Sequence, residues 1–219
     1  MPKVKDEYIA DKKNYILDCT GEILKEKPLY LTTMRDIIKK AGFSQGVIYR
    51  YYSSLDEIYI DFINKHTINN DLEQRIDTLL SSEQSEKTIL SECIIALGEY
   101  IAELLKSPAG KPLFELLVLY ASDLEKRVAI FPKLISKRNL ENAQTKIVKY
   151  TMSNVEKAIF RPNIPVRSII LFVGVFIDGI YQSVIFNSAG GNNYDSVSAA
   201  DIPEMFQALV KAVFSFLEE

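Results

Sequence analysis

The segment AGFSQGVIYRYYSSLDEIY, Ala41 to Tyr59, sets a glycine between two short helical patterns, then gathers glutamine, arginine and four tyrosines around one isoleucine. Upstream, Met34, Ile37, Ile38 and Ala41 recur at i, i+3, i+4 and i+7, one buried helical stripe. Gly42 suits the left-handed position just past a helix end, and Ser44 can cap the short helix after it. Two short helices joined by a glycine-containing turn form a helix-turn-helix, whose second helix can enter a DNA major groove. With Ile48 and Tyr52 placed inward, Gln45, Gly46, Tyr49 and Arg50 face outward and Val47 and Tyr51 lie on the flanks. Gln pairs with adenine, Arg with guanine, Val touches a thymine methyl, and Tyr hydroxyls bond phosphates. Gly46 would let the backbone approach a phosphate or base. On pattern alone a second reading stays open, because the same shape occurs in all-α proteins without DNA and outward tyrosines can pack on a neighbouring helix.

Working outward, helical periodicity dominates the chain and alternation is nearly absent, so the expected class is all-α. A first helix spans about Lys5 to Lys27, with Tyr8, Tyr15, Ile16, Cys19, Ile23 and Leu24 along one broad face, and Pro28 stops it. Thr32 or Thr33 caps the second helix, and Ser54-Leu-Asp-Glu57 opens a fourth that continues to about Leu80. Past the polar connection Ser81–Lys87, helices are expected near 88–106, 111–130, 132–160, 165–188 and 202–217, with a Gly/Asn/Ser loop over Ser188–Ser198. The expected division is a DNA-binding domain over 1–54 and a regulatory and dimerisation domain over 55–219.

The net charge of −3 over 219 residues argues against a general polyanion binder. Leu31–Ser54, however, sets Arg35, Lys39, Lys40 and Arg50 against Asp36 alone, a local excess of three positive charges. Cys19 and Cys93 lie far apart and make no disulfide framework. The N-terminus has no signal-peptide core, and the longest apolar run, Ile169–Ile177, is nine residues where a bilayer needs roughly 20. The expectation is a cytoplasmic chain without membrane association. His66 is the single histidine and reads as solvated surface; no metal site, cofactor or phosphate loop is expected, and an enzyme is the weak rival.

The stretch from Thr32-Thr33 through Ala41-Gly42, Ser44, Gly46, Tyr49 and Tyr51-Tyr52 to Asp56-Glu57 resembles the N-terminal domain of TetR-family transcriptional regulators. The resemblance implies a DNA face of Thr33, Arg35, Ser44, Gln45, Val47, Tyr49, Arg50 and Tyr51. Leu55 stands where that family usually has a phosphate-touching lysine, Val47 where it often has threonine, and Pro28 where it usually has glycine. It further implies a ligand-responsive regulator, a repressor, that binds a palindromic double-stranded operator as a homodimer through helices at about 165–188 and 202–217. Read from the residues alone, those two helices could instead complete a monomer's core. An apolar or aromatic small molecule would sit among Tyr100, Leu104, Phe114, Leu117, Tyr120, Phe131, Phe172, Phe176 and Tyr181, each of which is also ordinary core material. Asp178, an acid in an apolar helix, can serve a helix end, a dimer partner or a ligand. The helix from Leu55 to Leu80 is the expected lever between domains.

Overall fold

A computed structural model of the chain describes residues 2–67, 71–188 and 197–218. Eleven α-helices and two 3-10 turns occur in order among the described residues: α1 (Pro2–Glu26), a turn at Leu29–Leu31, α2 (Met34–Ala41), α3 (Gln45–Tyr51), α4 (Leu55–Lys65), α5 (Leu72–Leu80), α6 (Glu86–Lys106), α7 (Gly110–Leu119), α8 (Leu124–Ile130), a turn at Phe131–Lys133, α9 (Ile135–Glu156), α10 (Val166–Ser188) and α11 (Ile202–Leu217). The all-α class stands. The helices form two compact units, Met1–Thr67 with Ser107–Ile135, and Ile68–Lys106 with Ser136–Glu219. That grouping differs from a division at residue 54, because α4, α7 and α8 pack with the N-terminal helices.

In the first unit Ile16, Leu29, Ile37, Ile48, Ile58 and Ile63 are fully buried. Each such side chain contributes about 1.5–3 kcal/mol. Tyr59 on α4 reaches the turn above it, its hydroxyl donating to the Leu29 carbonyl at 2.9 Å. Residues 107–135 are fastened to this core by polar bonds. The Leu29 N–H donates to Glu115 at 2.8 Å, and Asp56 accepts from both the Tyr120 hydroxyl and the Lys126 ammonium at 2.5 Å. Asn64 donates to the Lys133 carbonyl at 2.8 Å and accepts from the Ile135 N–H at 2.9 Å.

Several expectations change. The helix expected over 55–80 is two helices: α4 ends at Lys65, and Asp71 opens α5 by accepting from the Gln74 N–H at 3.1 Å. Likewise the helix expected over 111–130 breaks before Asp123, which caps α8 through the Lys126 N–H at 3.0 Å. Along the broad face of α1, Ile16, Cys19 and Leu24 are buried while Tyr8 and Tyr15 are exposed. His66 is half-buried, with its ring 4.7 Å from that of Phe62, rather than solvated. Of the Ser188–Ser198 loop, residues 189–196 lie outside the described residues, as do 68–70 of the expected lever.

In the second unit α6 and α11 cross closely. A Cβ on Gly98 would fall 2.4 Å from Phe206, so glycine is needed there. Phe206, Leu209, Val213, Phe214 and Leu217 are all buried, so α11 fills the core of its own unit. Helix α10 differs. Ile169, Ile177 and Ile180 are buried, and Phe172 and Phe176 pack edge-on against Phe216 and Phe206 of α11 at 5.5 and 5.7 Å. Its other side exposes Leu171 (56%) and Val175 (71%). Val166–Ile185 is long and apolar enough to cross a bilayer by composition alone, which the nine-residue run did not reveal.

Candidate nucleic-acid interface and apolar cavity

The turn is built by local signals. Thr33 and Asp36 form a reciprocal capping box at the start of α2: the Thr33 hydroxyl accepts from the Asp36 N–H at 3.2 Å, while the Asp36 carboxylate accepts from the Thr33 N–H at 2.8 Å. Lys27 adds an ammonium at 2.6 Å, and with these bonds the Asp36 carboxyl drops to about 2. Gly42 ends α2 at φ 67°, where a side chain would be strained. Ile48 (0% exposed) and Tyr52 (1%) anchor α3 from beneath, and Lys13 lies over the Tyr52 ring at 4.6 Å.

That anchoring sets the outer face. Thr33, Arg35, Ser44, Gln45, Tyr49 and Arg50 are exposed, with Val47 and Tyr51 half-buried on the flanks. Lys39 and Lys40 are exposed nearby. Ser44 precedes α3, but its hydroxyl makes no capping bond to the helix, so the expected side-chain cap is not formed. Thr33 is different: its hydroxyl also donates to Asp36 at 2.7 Å, so its first role is to hold α2. Gly46 meets nothing within 4 Å of a built Cβ. The fold therefore does not require glycine there. Sequence reasoning missed a cluster bordering the turn, where Lys12 lies 5.4 Å from the Tyr8 ring and 5.3 Å from Phe43, and Tyr15 packs 5.5 Å from Phe43. Its signal is the spacing of Tyr8, Lys12 and Tyr15 at i, i+4 and i+7.

The nine aromatic-rich positions are divided between the two units. Phe114, Leu117, Tyr120 and Phe131 belong to the first unit, and Tyr100, Leu104, Phe172, Phe176 and Tyr181 to the second. Tyr100 and Leu104 are fully buried, and the Tyr120 hydroxyl is held by Asp56. Instead the second unit contains an apolar cavity of about 190 Å³ between α6, α9, α10 and α11, walled by Leu90, Leu97, Ile147, Val173, Ile177, Phe206 and neighbours. None of the nine lines it. Ile170 and Gly174 of α10 border the cavity and reach the surface. Cys93, buried on α6, has its thiol pushed up to about 12 by desolvation, which disfavours the reactive thiolate.

Residues 16–61, which hold α2, α3 and their supports, match the family of bacterial regulatory proteins, tetR family. Over these residues the chain carries the DNA-binding domain of the tetR family of bacterial regulatory proteins. It is similar to the HTH-type transcriptional regulator YfiR of Bacillus subtilis, 25% identical over 192 residues that span 84% of this chain and 85% of that one. In fold it is similar to the regulator FadR from Bacillus subtilis, solved in complex with stearoyl-CoA (16% identity, TM-score 0.55, 93% and 98% coverage). The same holds for the ketosteroid regulator KstR2 of Mycobacterium tuberculosis (18%, 0.56, 94% and 95%) and a TetR regulator from Haloarcula marismortui (15%, 0.59, 96% and 100%). Within this tetR-family frame Pro28 starts the 3-10 turn at Leu29–Leu31, replacing a glycine exit with a proline one. Leu55 opens α4 half-buried and brings no charge to the face.

Proposed function

We propose that this regulator represses transcription by binding a two-fold-symmetric operator as a homodimer, and that a small apolar molecule entering the α6/α9/α10/α11 cavity releases it. The observation that carries the DNA reading is the outward set Gln45, Tyr49 and Arg50 on a helix braced by buried Ile48 and Tyr52. Arg35, Gln45, Val47 and Arg50 read base edges. Ser44, Tyr49 and Tyr51 bond the backbone, with Thr33 positioned to join them. The dimer forms through the exposed side of α10. Two recognition helices then address half-sites about one DNA turn apart, roughly 34 Å or slightly more. Release works by differential affinity of the ligand for two spacings of the DNA-binding helices. Because the helix expected to be the lever ends at Lys65, the chain offers a second route. Residues 107–135 continue directly from α6 and into α9, two walls of the cavity, and are bonded to the DNA-binding helices through Glu115, Asp56 and Asn64.

The test is titration onto the DNA upstream of its own gene at two salt concentrations. Arg50→Ala and Gln45→Ala each lose about 1–3 kcal/mol of specific binding while a salt slope remains. Indifference to both substitutions removes the reading and leaves a helical interaction module. Solution scattering with and without an inducer tests release: identical spacing of the N-terminal domains in both states overturns it.

A further inference from the structure

Resting on the reading of the cavity as the effector site, we infer that its ligand is a neutral aliphatic molecule of about ten heavy atoms carrying one uncharged hydrogen-bonding group, and that Gln144 on α9 recognises that group. Size comes first. A cavity of about 190 Å³ exceeds the roughly 150 Å³ that holds benzene and falls short of the roughly 300 Å³ at which drug-sized sites begin.

Charge comes second. Fourteen of the sixteen lining residues have hydrocarbon side chains or none, and no Asp, Glu, Lys, Arg or His is among them. A carboxylate or phosphate seated there would surrender its hydration and meet no countercharge, a larger loss than any one hydrogen bond recovers. Phe206 is the one aromatic ring among the lining residues, and it is wedged against Gly98 and Phe176. A single ring held in that way offers flat polyaromatic ligands little stacking surface.

Recognition comes third. The polar lining residues are Gln144 and Thr151, seven residues apart on one face of α9 and so about 10 Å apart along the axis. The Thr151 hydroxyl donates to the Ile147 carbonyl at 2.9 Å, which leaves it lone pairs alone. Gln144, half-buried at the cavity wall, carries an amide with both a donor and an acceptor. It therefore suits an alcohol, a ketone or an amide, whichever atom is presented.

Calorimetry on the full chain with three probes tests this: cyclohexane, 1-octanol and sodium octanoate at about pH 7.5, where the last is a carboxylate. Cyclohexane and octanol are expected to bind, with octanoate at least about tenfold weaker than octanol. Gln144→Leu is expected to weaken octanol about five- to tenfold and leave cyclohexane unchanged, which also shows that the variant is folded. Val148→Phe, which fills the cavity, is expected to abolish both. Octanoate binding as well as octanol, octanol indifferent to Gln144→Leu, or either probe surviving Val148→Phe overturns the inference while the effector role of the cavity stands. Failure of cyclohexane and octanol alike to bind the native chain overturns the effector reading itself.

Discussion

Gly46 separates what the fold needs from what DNA needs. Its φ is ordinary for a helix, and a methyl group there meets nothing. Gly46→Ala should therefore raise the unfolding free energy by up to about 1 kcal/mol. If the backbone of α3 lies against the duplex, the same methyl group lowers affinity for every DNA sequence alike. Thermal unfolding and anisotropy titrations on one preparation read both effects; a stabilised variant with unchanged affinity removes the close-approach role. Asp36 carries a pH signature. Its folded carboxyl lies at about 2, below its ordinary value near 4, so its contribution is complete above about pH 4 and is lost as pH falls through 2. Asp36→Asn should cost about 1 kcal/mol at neutral pH and flatten acid unfolding between about pH 4 and 2. An unchanged acid limb in urea melts would show that the Lys27–Asp36–Thr33 group does not act as a unit.

At the scale of elements, the helices that were legible are those announced by local chemistry. Thr33, Gly42, Ser44 and Ser54 mark boundaries within one or two residues, so α2, the turn and α3 could be read from the chain itself. The breaks before Asp71 and Asp123 were overlooked because apolar spacing continues across them and neither glycine nor proline interrupts; a capping aspartate was the available signal. The attachment of residues 107–135 to the first unit had no local signal, since its bonds join residues 64 to 86 positions apart. The cavity escaped for a different reason. Aromatic residues suggest its walls in the sequence, but tyrosines and phenylalanines fill space well, and room remains where Val, Ile and Leu of four helices fail to interdigitate. One consequence is testable at Asn64. Asn64→Ala removes both bonds to the backbone at 133 and 135, a loss of about 1–3 kcal/mol. Amide exchange should accelerate across 124–135 while α2 and α3 stay protected. Uniform acceleration through the first unit would mean that Asn64 supports its global stability rather than this attachment.

For the whole molecule the open question is what covers α10. Leu171, Val175, Asp178 and Gln182 succeed one another at i, i+4, i+7 and i+11, a single exposed stripe with Gly174 and Gly179 beside it. A bilayer is a poor cover. Asp178 stands at the middle of Val166–Ser188, where a carboxylate costs about 2.5–3.5 kcal/mol, and the opposite side of the helix is packed against α11. A second copy is a better one, because glycines permit close approach and a protein interface accommodates the polar Asp178 and Gln182 alongside Leu171 and Val175 with trapped water. It would also close the place where Ile170 and Gly174 bring the cavity to the surface, so that ligand and dimer share one helix as a wall. The native chain should sediment as a dimer, and the paired change Leu171→Glu with Val175→Glu should yield folded monomers, since both positions are exposed in the isolated chain. Those monomers should keep their affinity for a single half-site and lose about a hundredfold or more on the full palindrome, where the second contact is no longer intramolecular. A native chain that sediments as a monomer, or a variant that still binds the palindrome at full strength, would leave the two-fold arrangement without its helix.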